Sequence, residues 1–203
     1  MTLLGALASL IVGYLLGSVP SAALAARLKR QNIFEVGSSS MGAMNTARNL
    51  GWVLGVGVLL LDLGKGALAS LLGLALGVFT GDPLMTPLLA GLGAILGHLW
   101  SVWVGFRGGK GLATTLGVAL PLYPLGGLYG LTALLVFMAL TRRTTLATFL
   151  TAILYPLCVY LGMLAASPNM RMATTLCALL IALLVTLKHI LPSRPVRRTL
   201  RQP

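Results

Sequence analysis

The sequence predicts an all-α, polytopic integral membrane protein: a bundle of about seven transmembrane helices with the N-terminus outside. Three observations predict it. First, the 203-residue chain is 57% hydrophobic and only 9% charged. A soluble domain carries about 25% charged residues, so this chain lacks the charge to cover a water-facing surface. Second, its apolar residues gather into long uninterrupted runs. Third, its basic residues fall in every other connector between those runs. The net charge is +12, from 15 Lys and Arg against Glu35, Asp62 and Asp82. These charges sit in short clusters between apolar runs, as basic connectors of spanning segments do. Membrane lipid is the expected partner, and nucleic acid is not.

The apolar runs lie near 3–26, 51–79, 84–105, 111–121, 126–141, 145–166 and 170–191. About 20 residues rising about 1.5 Å each cross a hydrocarbon core of about 30 Å. The fourth run is too short to do so comfortably. It is expected as a tilted or half-length helix supported by packing inside the bundle. Only Met1 and Thr2 precede the first run, which ends in Arg27, Lys29 and Arg30. That pattern predicts an uncleaved helix rather than a signal peptide.

The connectors near 27–50, 107–110 and 142–143, with the tail after 187, hold 13 of the 15 basic residues. The connectors near 80–83, 122–125 and 167–169 hold none. Basic connectors face the cytoplasm, so the N-terminus is expected outside and the C-terminus inside. The alternation works only if the short fourth run counts as a crossing. Trp52, Trp100 and Trp103 fall near the cytoplasmic boundary, as an aromatic belt would. Glycines spaced by four (Gly13/Gly17, Gly51/Gly55, Gly73/Gly77, Gly93/Gly97) read as close helix contacts. Cys158 and Cys177 read as small buried hydrophobes. The chain reads as one domain, 1–203, with 192–203 a basic cytoplasmic tail lying on anionic lipid.

Four places carry candidate chemistry. The loop from Gly37 to Arg48 holds Gly37, Ser38, Ser39, Ser40, Gly42 and Asn45, small and polar residues whose N–H and O–H groups suit an anion. Arg48 adds a planar fork for two phosphate oxygens. Arg107-Gly108-Gly109-Lys110-Gly111 stands directly before an apolar helix, a physically sensible phosphate cradle, although the P-loop spacing is absent. Asp62 and Lys65, at i and i+3 within a span, are expected to pair. His98 and His189 lie toward the cytoplasmic ends of their helices. Each feature also has a structural reading: a polar connector, a tight turn, a helix lock, a packed histidine. No acidic pair is available for acid–base work, so a general base would be a histidine or the substrate itself. No Cys/His cluster has metal spacing, and no cofactor is expected. Many cations with few anions suit a site for two phosphorylated molecules. A small-anion transporter would want polar residues along a path through the membrane, and Asp62 and Lys65 are the only paired charges at depth.

Several of these segments resemble the bacterial acyl-phosphate:glycerol-3-phosphate acyltransferase family. Tyr14-Leu15-Leu16-Gly17-Ser18-Val19-Pro20 looks like its first signature, and Gly37 to Arg48 resembles its GSGNxGATNxxR signature. Leu61-Asp62-Leu63-Gly64-Lys65-Gly66 is similar to its LDxxKG segment. Gly97-His98 followed by Phe106-Arg107-Gly108-Gly109-Lys110-Gly111-Leu112-Ala113-Thr114 resembles its GHxxPV and FKGGKGVAT block, the most specific match. The resemblance implies a seven-helix enzyme of the bacterial cytoplasmic membrane with its active site facing the cytoplasm. It would move a fatty acyl group from acyl phosphate to the 1-hydroxyl of glycerol 3-phosphate, for phospholipid synthesis. Neither coenzyme A nor acyl carrier protein would serve directly. The resemblance implies catalytic roles for Ser38, His98, Arg107 and Lys110. It implies substrate contacts for Gly37, Ser39, Ser40, Gly42, Asn45, Arg48, Gly108, Gly109, Gly111, Thr145 and His189. The chain departs from the family pattern at Ser39 (Gly), Ser40 (Asn), Met44 (Thr), Ser101 (Pro), Arg107 (Lys) and Pro192 (Asn).

Overall fold

A computed structural model describes residues 3–191. Its elements are helices: α1 Leu3–Gly17, α2 Ser21–Leu28, α3 Ala43–Leu50, α4 Trp52–Thr80, α5 Met85–Leu99, α6 Leu112–Leu122, α7 Pro124–Thr141, α8 Thr144–Gly162 and α9 Pro168–Ile190. Two 3-10 turns, Ile33–Glu35 and Val102–Val104, stand in the loops. Among the described residues no strand forms; a single isolated bridge joins Ser101 to Arg107. Among the described residues, five stretches are long and apolar enough to cross a membrane: Leu4–Leu28, α4, α7, α8 and α9. α5 and α6 are shorter apolar helices. The outward face is apolar, with Phe79 87% and Ile153 77% exposed, which suits lipid rather than water as the solvent. The expected tail, 192–203, lies outside the described residues, and so does Pro192.

The first expected run breaks in two. Pro20 disfavours α geometry at Val19 and lacks an N–H of its own, so α1 ends at Gly17 and α2 restarts at Ser21. At the break the Val19 carbonyl accepts the Ser21 N–H at 3.0 Å and also Lys65 Nζ of α4 at 3.1 Å. The third run also ends early, because α5 stops at Leu99. Gly105 and Phe106 take left-handed φ values of 66° and 58°. They turn the chain back so that Ser101 N–H donates to the Arg107 carbonyl at 3.0 Å.

The two short helices lie inside the bundle, as expected for the fourth run. α5 is buried at eleven of its 15 positions. Its glycines explain how: a Cβ at Gly93 or Gly97 would strike the backbone of α1 at Leu10, Tyr14 and Ser18. In turn, one at Gly13 or Gly17 would strike Ala90 or Ala94. α6 packs on α4 through the same device, Gly66 against the Thr114 carbonyl and Gly117 against the Leu63 carbonyl. Without a hydrophobic drive between helices in lipid, such close backbone approach supplies the packing. Gly55 and Gly73 also act this way, but Gly51 instead caps α3 and α4 at φ 109°, with open space around it. Short helices surrounded by protein do not expose their unpaired ends to lipid.

Candidate functional site

The polar loop is ordered by one side chain. Asn45, buried at the start of α3, accepts the Ser38 N–H at its Oδ1 (2.9 Å) and donates from Nδ2 to the carbonyls of Val36 (3.2 Å) and Ser40 (3.0 Å). Asn49, one turn on, donates to the same Oδ1 at 3.0 Å. Gly37 sits at φ 55° against both amides, where a Cβ would collide with them. Ser39, where the family pattern has glycine, also takes a left-handed φ of 53°, a conformation unusual for a side-chain-bearing residue.

The glycine loop is folded back on the end of α5. Gly109 N–H donates to the His98 carbonyl at 3.1 Å. A Cβ at Gly108 would meet the His98 and Leu99 carbonyls, and one at Gly109 would meet the His98 ring. Gly111, at φ 88°, caps α6. Lys110 is half-buried, and burial lowers its pKa. Arg107 instead lays its guanidinium over the Phe34 ring, 3.8 Å from the centroid. Burial lowers its pKa also, against the opposing pull of Glu35. Ser101, at the family's proline position, uses the N–H a proline would lack and adds a side-chain bond to the Ser18 carbonyl.

Behind the loops lies a buried polar cluster. Asp62 Oδ1 accepts from Lys65 Nζ (2.9 Å) and Ser21 Oγ (2.8 Å), with His98 Nδ1 at 3.5 Å. The expected Asp62–Lys65 pair therefore forms, and it ties α4 to α2, to the α1–α2 break and to α5. The cross-helix contacts to Ser21 and His98 had no signal in the sequence, since they join residues far apart in the chain.

These elements meet around one cavity of about 800 Å³. Eleven of the sequence-predicted residues line it: Gly37, Ser38, Ser40, Gly42, Asn45, Arg48, His98, Lys110, Gly111, Thr145 and His189. Ser39, Arg107, Gly108 and Gly109 are not in its lining; the two glycines pack against His98 and Arg107 packs on Phe34. His189 Nδ1 lies 2.8 Å from the Val185 carbonyl. A carbonyl can only accept, so that nitrogen carries the proton. Beyond the polar mouth the lining becomes apolar, with Leu59, Leu116, Leu131, Leu134, Met138 and Ile181. Sequence reasoning named none of these apolar residues, and it missed Thr115, a buried hydroxyl without a hydrogen-bond partner, one turn into α6.

A model of the family described as glycerol-3-phosphate acyltransferase matches residues 7–196. The chain belongs to the glycerol-3-phosphate acyltransferase family. A glycerol-3-phosphate acyltransferase from Shouchella clausii is 43% identical over 152 residues, covering 74% of this chain and 73% of that protein. A glycerol-3-phosphate acyltransferase 1 from Dehalococcoides mccartyi is 41% identical over 160 residues, 76% of each chain. Crystal structures of PlsY (YgiH), an integral membrane glycerol 3-phosphate acyltransferase, superpose with TM-scores of 0.75 and 0.76 at 33% identity. The match covers 91% of this chain and 88% of PlsY. One of those structures is its glycerol 3-phosphate form, the other its lysophosphatidic acid form. As a family member, then, the chain is an integral membrane acyltransferase whose signature loops meet at a single cavity.

Proposed function

We propose that this family member transfers a fatty acyl group from acyl phosphate to the 1-hydroxyl of glycerol 3-phosphate, in phospholipid synthesis. The observation that carries the reading is the two-part cavity: cations and backbone amides at its mouth, apolar side chains at its depth. A phosphorylated head with a fatty tail has that same division. The captured states of PlsY, one with glycerol 3-phosphate and one with lysophosphatidic acid, support it.

In this reading the hydroxyl oxygen of glycerol 3-phosphate attacks the acyl carbonyl carbon. The bond from that carbon to the phosphate oxygen breaks, and the hydroxyl proton leaves with the released phosphate. Lys110 and Arg48, with the N–H groups at the start of α6, stabilise charge as it moves onto phosphate. Phosphate is a good leaving group, so little acid catalysis is needed. Asp62 is the one carboxylate in the cavity lining, and it is engaged by Lys65. The base is therefore a substrate phosphate or a histidine. The topology is seven crossings of one domain, N-terminus outside, with the mouth facing the cytoplasm of a bacterial inner membrane.

Two experiments test this. Purified protein given palmitoyl phosphate and glycerol 3-phosphate should release phosphate and form 1-acyl-glycerol 3-phosphate. Equal transfer from acyl coenzyme A would overturn the donor assignment. For topology, a Cys158/Cys177-free variant carrying Ser38→Cys should react with an impermeant thiol reagent only from the cytoplasmic side. Reaction only from the outer side would reverse the orientation.

A further inference from the structure

The cavity ends part-way along the helices that line it. On each helix its lining starts at the polar mouth and stops part-way: at Gly127 on α7, Tyr155 on α8 and Ile181 on α9. Along α8 it runs from Thr144 to Tyr155, about eleven steps, or about 16 Å at the helical rise. That is about half of a hydrocarbon core of about 30 Å. Half the core is one leaflet, whose thickness ordinary fatty acyl chains themselves set.

Tyr155 stands where the lining ends on α8. It is buried, lining the cavity on one side and packing into the core beside Val159 on the other. Its ring rests on Gly130, where a Cβ would come within 2.9 Å of Cδ2 and 3.0 Å of Cε2. Its hydroxyl donates to that of Tyr123 at 3.5 Å, and Tyr123 is fully buried. The ring is thus held from its face and from its tip. Beyond it on α8 lies packed core, Val159 and Met163, with almost no voids to yield.

We propose that Tyr155, seated on Gly130, is the end wall of the acyl site and sets the longest chain the protein uses well. This inference rests on the acyl-phosphate reading above. A shorter chain leaves apolar wall unfilled and loses its packing contacts there. A longer one meets the ring. Chain preference should therefore peak at a leaflet-length chain and fall on both sides.

The test compares kcat/KM for lauroyl, palmitoyl and arachidoyl phosphate within each purified variant. Tyr155→Ala opens the wall and should raise the arachidoyl-to-palmitoyl ratio about tenfold or more. Tyr155→Phe keeps the ring and should keep the wild-type profile, because bulk rather than the hydroxyl makes the wall. Ala152→Leu, which adds bulk one turn nearer the mouth, should lower the palmitoyl-to-lauroyl ratio by a similar factor. Each readout is a ratio within one preparation, so partial loss of folded protein cancels. If Tyr155→Ala does not fold, Ala152→Leu decides. Unchanged ratios in these variants, with a wild type that turns over acyl phosphate, would overturn the wall and leave the reaction standing. A wild type inactive on every acyl phosphate would overturn both.

Discussion

The backbone N–H of Ser38 donates to Oδ1 of Asn45 across 2.9 Å, and that contact ties the polar loop to the start of α3 beside the cavity that both residues line. Asn45 makes four side-chain hydrogen bonds in all, to Ser38, Val36, Ser40 and Asn49. It therefore acts by shaping the loop as well as by lining the cavity. Asn45→Ala should cost about 2–4 kcal/mol at about 0.5–1 kcal/mol per net bond, or about 30- to 900-fold in kcat/KM if the loop's shape is needed in the transition state. Asn45→Asp keeps the acceptor, loses two donors, and should fall between. Steady-state phosphate release checks this, and wild-type kinetics in Asn45→Ala would refute it.

Lys110 and Arg107 flank the same glycines, yet only Lys110 lines the cavity. Lys110→Ala should cost about 10- to 150-fold in kcat/KM, from about 1.5–3 kcal/mol for a charge-assisted bond. Arg107→Ala should cost less, because its guanidinium braces the loop through Phe34; a cation–π contact is worth about 0.5–2 kcal/mol. Phe34→Leu should reproduce part of the Arg107 loss. Arg142, in left-handed geometry at the end of α7, is not in the cavity lining, and Arg142→Ala should change turnover least. Equal losses in the Lys110 and Arg142 variants would sink the assignment.

Burial lowers the pKa of Lys110, and this predicts a pH dependence. In the proposed reaction the cation is the form that holds phosphate, so activity should be present below its pKa and lost as pH rises through it. Because that pKa is lowered, the alkaline fall in kcat/KM should begin below the usual lysine value of about 10.4. The profile of kcat/KM reports the free enzyme, where this shift applies. Lys110→Arg should move the fall to higher pH. An unmoved alkaline limb in that variant would show that another group titrates.

Asp62 and Lys65 form an ion pair at 2.9 Å with both side chains almost wholly buried. Removing one partner leaves the other charged and unpaired, at about 3–5 kcal/mol. Asp62→Asn or Lys65→Met alone should therefore lower the thermal midpoint in detergent clearly. The double variant should recover much of the loss. Additive losses in the double variant would contradict the pairing.

The helices were legible in the sequence because the rule behind them is local. Lipid offers no hydrogen bonds, so each spanning segment must satisfy its own backbone and be apolar for about 20 residues. The contiguous loops were legible for a similar reason: glycines, hydroxyls and cations close in sequence stay close in space. So Gly37–Arg48 and Lys110–Gly111 could be singled out directly, and eleven of the named residues do meet at one cavity. Tertiary structure alone decided the rest. It turned Arg107 onto Phe34 rather than into the cavity, bound Asp62 to Ser21 and drew His98 beside it, and built the apolar depth from α4, α6, α7, α8 and α9. In a water-soluble helix the inward face is marked by its hydrophobicity. In a membrane helix the lipid face is as apolar as the inner one, so nothing in the pattern of α7 or α8 separates Gly130 or Tyr155, which line the cavity, from the exposed Leu128 or Ile153.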